Sequence, residues 1–345
     1  MGSAEWSRAL GGTMIVVSGG TGFVGSAVVR QLRADGAQVR LLSRGEGVDL
    51  GVPQSLRGAC EGARTLLSLA SYVGPDAQRC RAVNDRGTRA LMSEARRAGV
   101  HRIIHLSTCA VYGAGPHRGP EVGEVRPAPV SPASRSRLAG ESPVLAAGGT
   151  VLRAGLVTGA GDRWVVPALV DSFRRLPGSW AGGRGLTSYV DVGDLARLVA
   201  ALATGPRVLP AGVLHVSHPE PVRNGELMTA LARHGVLPHD PAEGGDFDWQ
   251  ECLTGLAQRP GWVSPRQFAL LADDMWYRSE AVWQLAGVRP GPGPLRRLAD
   301  AVPWYRIRGG AHPDAPAGTG ALAGAGAGAV PAAAAAAAYG ARLVA

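Results

Sequence analysis

Glycine returns at every third position in one stretch near the N-terminus, Ile15-Val16-Val17-Ser18-Gly19-Gly20-Thr21-Gly22-Phe23-Val24-Gly25. The β-branched run before it reads as a strand and the residues after it as a helix. Gly19 lets the chain turn sharply off the strand, Gly22 lets the backbone approach a pyrophosphate, and Gly25 lets the helix lie close on the sheet. The helix N-terminus then offers phosphates its unpaired N–H groups and the positive end of its dipole. In a strand–turn–helix setting this triplet specifies a dinucleotide site, with Thr21, Phe23 and Val24 completing the turn.

The next strand sorts the dinucleotides. A site for NAD usually carries an acid about 20 residues past the glycines, bonded to the ribose 2′-hydroxyl. Here the strand ends Leu41-Leu42-Ser43-Arg44. A hydroxyl beside a guanidinium fork suits a 2′-phosphate, so the expected cofactor is NADPH. The competing explanation is an exposed arginine at a strand end, which needs no ligand.

Charge and composition exclude other chemistries. All 36 Lys+Arg residues are Arg. Without lysine there is no pyridoxal Schiff base, no P-loop lysine and no Tyr-x-x-x-Lys pair, because Arg keeps its proton. The net charge of +9 suits an anionic ligand. The arginines are scattered rather than clustered, which disfavours nucleic acid. All-Arg usage with 50 Gly and 25 Pro is also a compositional habit of high-GC bacterial genomes. Cys60, Cys80, Cys109 and Cys252 are widely spaced and read as reduced thiols of a cytoplasmic protein, neither a disulfide frame nor a metal site. The first residues lack the apolar core of a signal peptide, and the alanine tract around Val330–Ala338 lacks the hydropathy to span a bilayer.

These residues need a scaffold, and the pattern supplies one. TMIVVS, QVRLLS, ARTLLSLAS and VHRIIHLST read as strands; FVGSAVVRQLRADG and NDRGTRALMSEARRAG read as helices between them. Strands alternating with helices imply an α/β fold with a doubly wound parallel sheet. Residues 13–158 are expected to form the dinucleotide domain, with a return segment near 184–205. Residues 159–308 are expected to be mainly substrate-binding, and they hold seven of the eight Trp. Residues 1–12 read as a loose arm, and 309–345 as a Gly/Ala-rich tail too poor in apolar surface to order.

Several motifs fall in an order that resembles the extended short-chain dehydrogenase/reductases of the NAD(P)-dependent epimerase/dehydratase type. Ser18–Gly25 resembles that family's Thr-Gly-x-x-Gly-x-x-Gly opening. Val48-Asp49-Leu50 resembles its Gly-Asp-Leu element. Leu69-Ala70-Ser71 resembles its segment lining the cofactor, and Val83-Asn84 with Gly87-Thr88 resembles Val-Asn-x-x-Gly-Thr. Ser107-Thr108-Cys109-Ala110-Val111-Tyr112-Gly113 resembles Ser-Ser-x-x-Val-Tyr-Gly; Arg153-Ala154-Gly155 resembles Arg-Pro-Gly; and Trp304-Tyr305 sits where the last helix commonly ends. The resemblance spans about residues 13–306. It implies a Rossmann fold, with Asp49 and Leu50 at the adenine, and Leu69, Ala70, Ser71, Asn84, Ala154, Gly155 and Leu156 along the cofactor.

The departures bear on mechanism. Only four residues separate Arg44 from Asp49, where the family has a helix and most of a strand, so one sheet edge is truncated. The family's Ser-Pro-Tyr-Gly-x-Ser-Lys is here Ser131-Pro132-Ala133-Ser134-Arg135-Ser136-Arg137. Ala133 takes the tyrosine position and Arg137 the lysine position, from which it can still reach the nicotinamide ribose. The remaining hydroxyl of the triad maps to Thr108. A dedicated proton donor adds only about 10²–10⁴-fold, so its loss does not forbid carbonyl reduction, whereas epimerisation or dehydration needs a strong base. Thr108, with Ser107, can donate to a carbonyl, and an acceptor activated by its own neighbouring phenol needs no further acid.

Tyr72, Cys109, Ala110 and Trp164 are the expected substrate side. Trp164, Trp180 and Trp249 are candidates for a flat apolar wall, and Trp276, Trp283 and Trp304 for core. Tyr112 reads as structural. His101 and His105 are four apart but on a strand, and read as structural, as do His215 and His218. The expected function is an NADPH-dependent ketoreductase acting on a polycyclic aromatic polyketide, similar to angucyclinone reductases of antibiotic biosynthesis. The alternatives are a non-catalytic NADP sensor of NmrA type and a nucleotide-deoxysugar 4-ketoreductase. The expected partner is that small molecule, with neither nucleic acid nor membrane, in a monomer or homodimer.

Overall fold

A computed structural model describes residues 14–176, 178–312 and 314. The expected arm at 1–12 and most of the expected tail lie outside the described residues.

The central sheet has six strands, all parallel: β1 (Met14–Ser18), β2 (Gln38–Leu42), β3 (Ala63–Ser68), β4 (Arg102–Thr108), β5 (Thr150–Ala154) and β6 (Gly212–Val216), in the order β6-β5-β4-β3-β1-β2. The chain winds outward from β1 to β2, then returns to β3 on the other side. This reversal opens a crevice at the carboxyl ends of β1 and β3, where open α/β sheets take ligands.

Alternation along the strands builds both faces. Ile15 and Val17 pack against Val28 and Leu32 of α1 (Phe23–Ala34), and against Leu195, Leu198 and Val199 from residues 192–204. Val16, between them, packs on the other face with Leu91 and Met92 of α2 (Thr88–Arg97) and Val144 of α3 (Pro132–Ala146). A period of two in a strand covered on both sides gives this division. Gly36, at φ +80°, ends the first crossover just past α1. A reciprocal pair of hydrogen bonds between Ser131 and Ser134, with Pro132 in the first turn, starts α3.

The truncated edge is present. Between β2 and β3 there are only two short 3₁₀ turns, Arg44–Glu46 and Pro53–Leu56, and β2 closes the sheet. The helix expected from Asn84 begins as a wide π-type turn, Arg81–Gly87, before α2. There the Leu50 backbone leaves no room for a Cβ at Gly87.

The return to the sheet is longer than the spacing implies. Tyr189–Asp191 pairs in parallel with Leu156–Thr158, helix α4 (Val192–Thr204) packs beside α1, and β6 follows. Val282 and Trp283 join that same core, so residues 159–308 are shared between two layers. The second core gathers Phe173, Leu227, Phe268 and Tyr305 from four helices. Among the described residues no helix is long and apolar enough to cross a membrane.

Candidate active site

The β1–α1 turn is closed from behind and open in front. Gly19 has φ +76°, and a Cβ there would stand 2.5 Å from the Ala70 nitrogen. A Cβ at Gly25 would overlap the Gly19 carbonyl oxygen. The third glycine, Gly22, is the N-cap of α1 and brings no side-chain cap to the helix end. Thr21 is exposed, and Phe23 and Val24 are half-buried at the mouth. An uncapped helix start in a glycine cradle fits a pyrophosphate.

The adenosine end follows. Ser43 is half-buried, and Arg44 is exposed, with no side-chain partner among the described residues. The Asp49 carboxylate accepts from the Gly51 N–H at 2.7 Å, and Leu50 is buried. Leu69 lies behind the glycine turn, donating its N–H to the Ser18 carbonyl at 3.1 Å. Asn84 is buried. Its amide accepts from the Tyr72 N–H at 2.7 Å and donates to the Tyr72 carbonyl at 2.8 Å and to Ser136 Oγ at 2.9 Å. Asn84 therefore fixes the Ser71–Tyr72 segment from behind, with its polar atoms already engaged.

At the end of β4, neighbours point to opposite faces. Ser107 is fully buried and its hydroxyl donates to Glu141. Thr108 is half-buried, and its Oγ1 accepts from the Ala110 N–H at 3.2 Å. Of the two hydroxyls named from the sequence, Thr108 is partly exposed at the carboxyl end of β4 and Ser107 is enclosed. Cys109 is buried, its thiol pushed up by burial and donating to the Arg153 carbonyl at 3.3 Å; Ala110 is half-buried. On α3, Ala133 is half-buried and Arg137 donates to the Leu106 carbonyl at 3.0 Å. Burial pushes the Arg137 guanidinium down to about 10, which leaves it charged at neutral pH.

Behind Ser107 runs a chain of buried groups that the sequence reading did not assemble. Arg153 pairs with Glu141 at 2.7 Å and donates through Nη1 to the Tyr112 hydroxyl at 2.8 Å. Tyr112 is 2.6 Å from His215 Nε2. Because Arg153 supplies a donor to the phenol oxygen, the phenol donates to Nε2, and His215 Nδ1–H faces the Arg278 carbonyl at 3.3 Å. Burial holds the His215 imidazole down to about 4, so it is neutral. Tyr277 stacks on Tyr112 with centroids 5.2 Å apart. One signal was available: Arg153 sits inside the apolar strand Thr150–Ala154, where a charge demands a partner.

The remaining candidates divide. Ala154 is buried, and Gly155 sits where a Cβ would overlap the Ser188 carbonyl, so the chain hooks there from the sheet to Leu156. The Tyr72 ring lies over Gly74, with the Arg79 guanidinium 4.6 Å from its centroid. Trp164 meets Trp262 edge-on at 6.3 Å, next to the Gly161 turn that packs on Phe23. Trp180 and Trp249 stand elsewhere, around Phe268. His105 is buried against Ser68 Oγ at 3.0 Å.

The chain belongs to the NAD dependent epimerase/dehydratase family, whose model matches residues 15–215. Over 29% of its length it is 37% identical to sterol demethylase protein B of Methylococcus capsulatus, covering 36% of that protein. Over 55% of its length it is 31% identical to a 4-hydroxy-2-methyl-3-oxo-4-farnesyl-3,4-dihydroquinoline-1-oxide ketoreductase of Stigmatella aurantiaca, covering 64% of it. A 2-alkyl-3-oxoalkanoate reductase of Stenotrophomonas maltophilia is 29% identical over 63% of this chain and 74% of its own. Two solved structures share the fold. The Streptomyces venezuelae dTDP-glucose 4,6-dehydratase with NAD and TYD has a TM-score of 0.65 at 20% identity, over 86% of this chain and 98% of that one. RMD from Pseudomonas aeruginosa with NADPH has a TM-score of 0.64 at 20% identity, over 86% and 99%.

Proposed function

We propose that the chain is an NADPH-dependent ketoreductase that reduces a ring carbonyl of a polycyclic aromatic polyketide, an angucyclinone-like substrate of antibiotic biosynthesis, without a tyrosine–lysine dyad. The end of β4 carries this reading. Thr108 keeps a hydroxyl at the crevice, while the α3 positions matching the family's tyrosine and lysine hold Ala133 and Arg137. Relatives named as reductases, one of them for an oxo-dihydroquinoline, support carbonyl reduction.

When bound, the cofactor supplies a hydride to the carbonyl carbon. The residues do the positioning. The Gly19–Gly25 turn and the start of α1 hold the pyrophosphate, and Ser43 with the unpaired Arg44 takes the 2′-phosphate. Leu69, Ala70 and Ser71 form one wall. Thr108 donates to the substrate oxygen. Positioning and fixed dipoles in a sheltered crevice lower the barrier without proton transfer from the protein. The developing alkoxide is stabilised by a phenol of the substrate beside it, and water delivers the final proton.

A non-catalytic NADP sensor is the second reading, favoured by Ala133 alone. One experiment separates them. The protein is incubated with NADPH and a panel of quinonoid polyketides, nucleotide keto-sugars and a simple unactivated ketone, and loss of the reduced nicotinamide is followed. Oxidation with the quinonoid substrates is expected. Tight NADPH binding with no oxidation by any of them would favour the sensor, and equal turnover of the simple ketone would overturn the activated-acceptor mechanism.

A further inference from the structure

One charged side chain near the end of β4 has no task in the proposed reaction. Arg137 extends from α3 to the Leu106 carbonyl, which its Nη2 reaches at 3.0 Å. Backbone carbonyls of a strand lie in the plane of the sheet, between its two faces. The guanidinium therefore comes to rest at the strand end itself, two residues before Thr108.

The rest of this guanidinium is unclaimed. Nε is closed to solvent and has no acceptor among the described residues. Nη1 makes no hydrogen bond among the described residues either, and unlike Nε it is not closed off. The carboxylate that acts on Arg137 is Glu141, one turn further along α3, and Glu141 spends its oxygens on Ser107 and Arg153. The other groups that feel its charge are neutral. Burial holds the His105 imidazole down to about 3 and pushes the Cys109 thiol up. An arginine enclosed this far without a counter-charge of its own is costly. Its open Nη1 marks an anion that arrives with a ligand.

The surroundings narrow that anion. Ala133, one turn before Arg137 on the same helix, brings no hydroxyl, so an oxygen placed there belongs to the ligand. Two residues of strand separate Leu106 from Thr108, about 7 Å. A hydrogen bond from Thr108 to the substrate carbonyl, the internal hydrogen bond from the adjacent phenol, and a contact from that phenol oxygen to Arg137 are each about 2.5–3 Å and together span this distance. We propose that Arg137 is the counter-ion of the substrate's own phenol, holding it as a phenolate once its proton has passed to the reduced carbonyl. Hydride transfer forms the C–H bond and turns the carbonyl π pair into an alkoxide lone pair. The phenol O–H then breaks, its proton joins the alkoxide oxygen, and its electron pair stays on the phenol oxygen facing Arg137. Water returns a proton to the phenolate afterwards. The inference rests on the aromatic-substrate reading and adds a rule of selection to it: the ring taken is one whose phenol ionises beside the carbonyl, in preference to its methyl ether.

1,8-Dihydroxyanthraquinone is the probe and its dimethyl ether the control. Each is titrated into the full chain with NADP⁺ bound, where no hydride is available, and the phenol is followed by its absorbance as pH is raised. On the protein, the change from phenol to phenolate is expected about 1–3 pH units lower than in solution, as for an opposite charge in contact. Arg137→Gln is expected to lose most of that shift and to bind the dimethyl ether as before. Arg137→Lys keeps the charge and is expected to keep the shift. NADP⁺ affinity, measured for each variant, reports folding. No saturable binding of the probe, an unshifted phenol in the native chain, or a shift that survives Arg137→Gln would each overturn the proposal. So would an Arg137→Gln variant that weakens only NADP⁺, which would assign Arg137 to the ribose. A shift that follows Arg137 while no carbonyl compound is reduced leaves this site standing and removes the ketoreductase reading. Quinonoid substrates reduced as fast by Arg137→Gln as by the native chain do the reverse.

Discussion

The Arg137 guanidinium donates to the Leu106 carbonyl at 3.0 Å, which ties a charge on α3 to the strand two residues before Thr108. It therefore stands beside the end of β4 as a fixed positive group in place of the family's lysine. The double substitution Ala133→Tyr with Arg137→Lys rebuilds a proton donor. It is expected to raise kcat/KM for an unactivated ketone by about 10²-fold or more and to change turnover of a phenol-activated substrate by much less. Steady-state kinetics on the two substrates checks this difference.

In the proposed function Arg44 sets the cofactor preference. Arg44→Asp removes the donor for a 2′-phosphate and places a carboxylate where it repels one and can accept from a ribose hydroxyl instead. NADPH affinity is expected to fall by about 10²-fold, as for a charge-assisted pair converted to a like-charge contact, while NADH affinity rises. Calorimetric titration of both dinucleotides measures it. Because Arg44 is exposed and makes no side-chain hydrogen bond or ion pair among the described residues, thermal stability is expected to stay unchanged.

The Glu141–Arg153 pair is buried at both ends. Arg153→Met leaves the Glu141 carboxylate without its cation and the Tyr112 hydroxyl without a donor. A loss of about 3–5 kcal/mol is expected on breaking such a pair from one side, read as a lower midpoint in urea unfolding. The double variant Arg153→Met with Glu141→Leu is expected to recover part of that loss, since no charge is then stranded.

Acid sensitivity follows from the buried imidazoles of His105, His117 and His215, all held down by burial. Burial first, then Arg137, holds His105 down to about 3, and burial holds His215 down to about 4, against an ordinary 6.5. Between those values the unfolded chain binds protons that the folded chain refuses, so stability is complete above about pH 6.5 and declines as pH falls through the window below it. The urea midpoint is expected to drop as pH falls from about 7 to about 5. His105→Asn is expected to flatten that slope at some cost in stability at neutral pH.

Local signals made much of this legible. The glycine triplet marked the first turn because the backbone there has no space for a Cβ: at Gly19 the obstacle is Ala70, and at Gly25 it is Gly19 itself. The short gap between Arg44 and Asp49 marked the truncated edge because neither a helix nor a strand fits into it. What escaped was long-range. Ser107 and Thr108 look equivalent in sequence, and strand alternation separates them, but the partner that claims Ser107 is Glu141, 34 residues on. Asn84 fits a cofactor motif, yet its amide is used on Tyr72 and Ser136, a geometry set by the wide turn at Arg81–Gly87. Of three tryptophans read together, Trp180 and Trp249 share a pocket and Trp164 packs on Trp262, because helix packing in the second core decides their neighbours.

The most direct measurement compares two substrates that differ by one methyl group: an aromatic ketone whose adjacent phenol hydrogen-bonds the carbonyl, and the same compound O-methylated at that phenol. With NADPH saturating, the free phenol is expected to turn over about 10²-fold faster or better, the contribution of one proton donor. Equal rates would mean that the protein itself supplies the acid, and a primed acceptor would no longer explain how the chain works with Ala133 and Arg137 beside Thr108.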